Sequence, residues 1–187
     1  MNYILASQSP RRKELLGLLN IPFLVRVADI DEAMDASADP RDEVARVSRL
    51  KALAVPRKAD DIVIAADTIV VCDRQVLGKP ADEADAARML RLLSGRAHQV
   101  MTGLTVLQGN TVISHTEVTD VYFRSLTDRH IADYVASKDP MDKAGSYGVQ
   151  SGAAPFVEKI CGDYYNVVGL PVCRLSQILE QLKEDSL

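Results

Sequence analysis

Tyr3-Ile4-Leu5-Ala6-Ser7-Gln8-Ser9-Pro10-Arg11-Arg12-Lys13-Glu14-Leu15-Leu16 reads as a short buried strand, a serine-rich turn and the start of a helix. Ser9 is a natural N-cap and Pro10 a natural first helical residue, and Leu15, Leu16 and Leu19 follow at helical spacing. Three cations in the first helical turn conflict with local electrostatics, because the positive end of the helix dipole disfavours them by a few tenths to about 1 kcal/mol. An anion bound at the unpaired N–H groups of that turn would resolve the conflict. A solvated basic turn is the alternative.

Outward from this unit, Phe23 to Val27 reads as a second strand and Ala28 to Asp39 as an acidic, aperiodic loop. Asp39-Pro40 opens a helix with Val44, Val47, Leu50 and Ala54 expected to face inward. Ile62 to Val71 is the most apolar run and reads as a central strand. Asp82 caps a helix carrying Ala86, Met89, Leu90 and Leu93, with Gly95 just past its end. Val100 to Leu107 and Thr111 to Phe123 flank Gly109-Asn110, a hairpin turn. Thr127 to Ala136 is expected to be helical and Asp142 to Pro155 a glycine-containing loop. Phe156 to Ile160 and Tyr164 to Val168 are expected to form a strand pair across Cys161-Gly162-Asp163. Pro171 opens a last helix with Val172, Leu175, Ile178 and Leu182, and Lys183 to Leu187 are expected to fray. Strands and helices alternate first and a hairpin follows, so the chain should be an α/β protein with a mixed, twisted sheet and flanking helices.

The 187 residues suffice for one domain with a buried core, or for two lobes around a cleft. The composition, 47% hydrophobic and 26% charged, is that of a globular protein. A net charge of −4 argues against a nucleic-acid binder, so any phosphate must meet local clusters of Lys and Arg. No stretch approaches transmembrane length, and no secretory leader is recognisable. Cys72, Cys161 and Cys173 are too scattered for a disulfide framework or a zinc site, which fits the cytoplasm.

Asp67 interrupts the apolar run Ile62 to Val71. A carboxylate there is expensive unless it is paired, bound to metal or placed at the open end of the strand, where ligands bind in open α/β sheets. A turn Asp capping a backbone N–H is the competing reading. Lys51, Lys79 (in Gly78-Lys79-Pro80) and Glu32 are each, taken alone, more often solvated charges. Asp142-Lys143-Ala144-Gly145-Ser146-Tyr147-Gly148-Val149-Gln150 could bring backbone close to a ligand, but it matches neither the phosphate-loop nor the dinucleotide pattern. His98, His115 and His130 show no metalloprotease spacing, and no Gly-x-Ser-x-Gly elbow is present.

Together, the Ser7 to Leu16 segment, Ala65 to Val70, Gly78-Lys79-Pro80, Leu93 to Gly103, Asp142 to Gln150 and Val167 to Pro171 resemble the Maf family of nucleotide pyrophosphatases, in the family's order along the whole chain. The resemblance implies one Maf-like domain over residues 1–187, with two lobes around a central cleft and a fold similar to inosine triphosphate pyrophosphatases. The Asp142 to Gln150 segment resembles the subgroup that prefers dTTP and UTP, with Ser146 and Ser151 where small Ala and Gly are usual. Ser151 follows Gln150 and could alter base selection.

The resemblance makes Asp67 the proton acceptor, and Lys51 and Lys79 its catalytic partners. It places Ser7, Arg11, Arg12, Thr68 and Gln150 on the substrate and Glu32 in the same polar cleft. Mg²⁺ or Mn²⁺ is then expected to be held mostly by the triphosphate, with Glu32 and Asp67 or their waters completing its shell, as suits a hard cation. The expected reaction is metal-assisted attack of water on the α-phosphorus, releasing the monophosphate and pyrophosphate. The family also implies a homodimer. A house-cleaning pyrophosphatase for modified purine nucleotides and a nucleotide-binding regulator of cell division with little turnover are the alternatives.

Overall fold

The computed structural model describes residues 1–184. Of the segment expected to fray, residues 185–187 lie outside the described part. The architecture is the expected α/β one: a seven-stranded mixed sheet in the order β2-β1-β3-β5-β6-β7, with β4 pairing β3, and six α-helices among the described residues. The chain divides into two compact units, and the residues of the long strands β3 (Ile62–Cys72), β5 (Ala97–Gln108) and β6 (Thr111–Phe123) are shared out between them.

The first unit comprises Met1–Asp67, Thr102–Glu117 and the chain from Gly169 onward. β1 (Tyr3–Leu5) runs parallel to β2 (Phe23–Val25) and to β3, so that Tyr3 lies opposite Phe23 and Ile62. α1 (Pro10–Gly17) starts as expected, with Ser9 accepting from the Arg12 N–H and Pro10 at its first position. α2 (Pro40–Ala54) is capped by Asp39, which accepts from the Arg41 N–H. α6 (Val172–Glu184) buries Leu175, Ile178 and Leu182. Ile4, Ala6, Ala52, Val55, Val63, Ala65 and Leu107 form a core, each large side chain contributing about 1.5–3 kcal/mol.

Two residues of α2 correct the expected pattern: Leu50 and Ala54 are exposed. The inward stripe runs through Val44, Val47, Ser48 and Ala52, and Lys51 lies at its edge, seven residues after Val44, on the helical repeat. α2 also lies unusually close to β5. A Cβ on Gly103 would stand 2.3 Å from the Val44 carbonyl oxygen, so only glycine permits this approach.

The second unit comprises Thr68–Met101 and Val118–Val168. It contains β4 (Gln75–Leu77), α3 (Glu83–Leu93), α4 (Asp128–Ala136), β7 (Val157–Cys161) and α5 (Tyr164–Val168), with 3-10 turns at Asp139–Asp142, Ala144–Ser146 and Ala154–Phe156. Its core packs Leu90, Leu93 and Ile131 around aromatic rings. Phe123 meets Tyr147 edge-on at 4.8 Å between centroids, and Tyr134 meets Phe156 at 5.3 Å, the geometry that ring quadrupoles favour.

Here too the structure departs from expectation. Tyr164–Val168 is a helix, not a strand, and β7 pairs with β6 instead. Asp163 Oδ1 accepts from the Tyr165 N–H at 2.7 Å and turns the chain. Asn166 is then fully buried and donates to the Val100 carbonyl at 3.0 Å and to Thr119 Oγ1 at 2.9 Å. β4 had no signal in the apolar pattern, since Gln75 and Val76 are both exposed.

Candidate active site

Asp67 lies in the middle of β3, neither at an open strand end nor in a turn. Asp67 and Thr68 are the two half-buried positions in an otherwise buried strand of 11 residues. Their side chains leave opposite faces, as strand alternation requires. The carboxylate is paired: Lys51 Nζ donates to Asp67 Oδ1 at 2.6 Å, and the two side chains are each 14% exposed. The same ammonium reaches Glu32 Oε2 at 2.8 Å, so one cation bridges a half-buried carboxylate and an exposed one. At this depth, removing one partner of the Lys51–Asp67 pair costs more than the interaction of the intact pair yields, since the survivor's charge stays partly desolvated.

The acidic loop that holds Glu32 is itself fastened to α2. Glu43 accepts from the Asp35 N–H at 2.8 Å and from Arg46 through both oxygens, while Arg46 Nη2 donates to the Ala33 carbonyl at 2.7 Å. The guanidinium bond, then the Asp35 N–H, lowers the Glu43 carboxyl to about 2. The clamp therefore grips the loop on the far side of Glu32 from its strand, one helix carrying both the clamp and Lys51. Sequence reasoning missed Glu43 and Arg46. Their (i, i+3) spacing was the available signal, but it could not show that the pair binds a distant loop.

At the start of α1, Arg12 Nε donates to the Gly169 carbonyl at 2.8 Å, and Nη1 to Ser7 Oγ at 3.3 Å. Ser7 is buried and Ser9 N–H donates to its Oγ at 3.2 Å. Burial lowers the Arg12 pKa, Asp67 and Glu32 act to raise it, and neighbouring Arg11 acts to lower it. Arg12 thus lies in the field of both carboxylates. The first unit brings together Ser7, Arg12, Glu32, Lys51 and Asp67, with half-buried Arg11 beside Arg12 in the chain. The Gly169 carbonyl is a main-chain partner that no residue pattern could have announced.

Thr68, Lys79 and Gln150 belong to the second unit. Lys79 and Gln150 are exposed. The turn before Lys79 is tied to the 142–152 loop, because the Gly145 N–H donates to the Gly78 carbonyl at 3.0 Å. Gly145 has φ +66°, and a Cβ there would stand 2.7 Å from Val70 Cγ2, so the close approach and the left-handed backbone both require glycine. Tyr147 anchors the same loop from the core, with Oη 2.8 Å from His98 Nε2.

No group of three or more His, Cys, Asp or Glu side chains among the described residues is placed to hold a metal ion. Glu32 and Asp67, the expected ligands, do meet, but across the Lys51 ammonium. Two carboxylates fit a hard cation that keeps most of its waters and is held largely by substrate phosphates, as Mg²⁺ characteristically is. They do not make a closed protein cage.

The sequence matches the Maf family, described as Maf-like protein, over residues 2–182. A protein of Bacillus mycoides named dTTP/UTP pyrophosphatase is 48% identical over 183 residues, spanning 97% of this chain and 96% of its own. A protein of the same name from Bacillus cytotoxicus is 49% identical over 180 residues, spanning 96% and 94%. The solved structure of a HAM1 protein from Coxiella burnetii superposes with a TM-score of 0.50 at 15% identity, over 97% of this chain and 99% of that one. That likeness is one of fold.

Proposed function

Because the chain belongs to the Maf family, we propose that it is a nucleoside triphosphate pyrophosphatase acting on dTTP and UTP, and that its polar cluster at Lys51 does the chemistry. Near one-in-two identity, over almost the whole length, to relatives bearing the name dTTP/UTP pyrophosphatase carries this reading. The reaction hydrolyses a phosphoric anhydride. Water adds to the α-phosphorus, the bond to the bridging oxygen breaks, and the monophosphate and pyrophosphate leave.

Asp67 Oδ1 is committed to Lys51, which leaves Oδ2 to orient the water and accept its proton. Lys51 fixes the carboxylate and offsets charge on the phosphates. Arg12, pre-set by Ser7 and the Gly169 carbonyl, places its guanidinium at the start of α1, at the positive end of the helix dipole. Such placement of donors is most of what phosphoryl transfer asks of a protein. An Mg²⁺ or Mn²⁺ held mostly by the triphosphate would have its shell completed by Glu32 and by waters that Asp67 orients, and the cation would supply neutralisation of phosphate charge and a more acidic water. Lys79 is read as a partner of the leaving pyrophosphate, and Arg11, Thr68 and Gln150 as selectors of the base.

The family match across both units supports treating residues 1–187 as one functional domain. The three cysteines are free, in keeping with a cytoplasmic location, and no described helix is long and apolar enough to cross a membrane. The same reading includes a homodimer, which light scattering tests directly. The activity test is pyrophosphate release from dTTP, UTP, CTP, 7-methyl-GTP and ITP with Mg²⁺ or Mn²⁺. Release led by dTTP and UTP is expected. A lead by 7-methyl-GTP or ITP would overturn the specificity, and binding without release would replace the enzyme by a nucleotide-binding regulator.

A further inference from the structure

The loop that ends in Gln150 converges on one carboxylate that the catalytic assignment does not use. Asp139 Oδ2 accepts from Tyr134 Oη at 2.6 Å and from Ser151 Oγ at 2.6 Å. Its Oδ1 lies 3.0 Å from Lys143 Nζ, which also donates to the Asp139 carbonyl at 2.5 Å. Burial acts to raise the Asp139 carboxyl, but hydrogen bonds from Ser151, Tyr134 and Lys143 outweigh it and its pKa falls.

The backbone fits around these same three side chains. The Gly148 N–H donates to Tyr134 Oη at 3.2 Å. A Cβ on Gly148 would stand 2.4 Å from Ser151 Oγ and 2.7 Å from Lys143 Cε, and one on Gly152 would stand 2.8 Å from Tyr134 Cε2. The two glycines that bracket Val149, Gln150 and Ser151 are thus seated against Asp139's own partners. Residues 145–147 are buried and held by the core, whereas 148–151 are half-buried or exposed. Asp139 supplies the side-chain anchor of that outer stretch.

We propose that Asp139 is the positioning residue for base selection: it gathers Tyr134, Lys143 and Ser151 and thereby fixes the backbone that presents Gln150. This rests on the reading of Gln150 as a base selector. It also gives Ser151 a purpose, since its hydroxyl ties the residue next to Gln150 to the hub. Asp139 touches no substrate in this scheme and acts through the loop alone. Its loss should therefore weaken recognition of the base and leave the phosphate chemistry standing.

The test compares the full-length protein with Asp139→Asn, Ser151→Ala and Gln150→Ala, measuring kcat and KM for dTTP, UTP and CTP and amide hydrogen exchange along the chain. Asp139→Asn should raise KM for dTTP and UTP about tenfold, keep kcat within about threefold, lower the dTTP-to-CTP ratio of kcat/KM, and speed exchange over 142–152. These changes correspond to losing one or two charge-assisted hydrogen bonds. Ser151→Ala should shift the same quantities the same way by about two- to threefold, and it decides the matter if Asp139→Asn fails to fold. Faster exchange with an unchanged nucleotide ratio would overturn the proposal, as would unchanged exchange. Loss of selectivity in Gln150→Ala without loss in Asp139→Asn would sink the proposal alone. Unaltered selectivity in Gln150→Ala would sink the base-selector reading and the proposal with it.

Discussion

Lys51 Nζ and Asp67 Oδ1 are 2.6 Å apart, and the lysine comes from the same helix that clamps the Glu32 loop. An amide at position 67 would keep the shape and a contact to Lys51 but could not take a proton. Asp67→Asn should reduce kcat on the order of a thousandfold while nucleotide binding, read by equilibrium titration, stays within a few-fold. Substantial residual turnover would remove Asp67 from the role of base.

Arg12 holds its place through Nε on the Gly169 carbonyl and Nη1 on Ser7 Oγ. Lysine keeps the charge but lacks the planar fork, so it cannot make both bonds and still face a phosphate. Arg12→Lys is expected to raise KM for dTTP about tenfold, equivalent to about 1.4 kcal/mol. An unchanged KM would show that charge alone suffices there.

His98 is buried beside Phe123 and Tyr147, and among the described residues its Nδ1 has no hydrogen-bond partner. Burial lowers its pKa from 6.5 to about 4. Between those values the unfolded chain binds a proton that the folded chain refuses, so this contribution is complete above pH 6.5 and is lost as pH falls toward 4. Urea midpoints at pH 7 and 4.5 should show the native protein losing about 2 kcal/mol more than His98→Gln over that interval. Parallel losses in both proteins would rule the histidine out as the cause.

Gly103 has the Val44 carbonyl where its Cβ would be. Gly103→Ala must push α2 away from β5, and overpacking of this kind costs about 3 kcal/mol. The shift also displaces Lys51 relative to Asp67, so kcat should fall along with the denaturation midpoint. A variant of native stability and activity would show that the helix can slide freely.

Much of the fold was legible because it depends on local chemistry. Ser9-Pro10 and Asp39-Pro40 mark helix starts whatever surrounds them, and Ile62 to Val71 is too apolar to be anything but interior. Tyr164–Val168 misled because tyrosine and valine favour strands, whereas its helix depends on the Asp163 turn and on partners of Asn166 that lie 47 and 66 residues away. Asp67 stood out in the site because a carboxylate in such a strand needs an explanation. Glu32 did not, being one acid among several in an aperiodic loop, and only the family resemblance singled it out. The Gly169 carbonyl and the Glu43–Arg46 clamp were invisible because their roles come from tertiary neighbours rather than from residue type.

The bridging of Glu32 and Asp67 by Lys51, with Arg12 in their field, has a consequence for release. Two carboxylates and two cations sum to zero, and Arg11 beside them adds a single positive charge, so this cluster meets a polyanion with little bulk attraction and grips it through the direction of its donors. Ionic strength should then alter capture only weakly, and pyrophosphate, once cut free and no longer aligned, meets only a small excess of positive charge at this cluster to detain it.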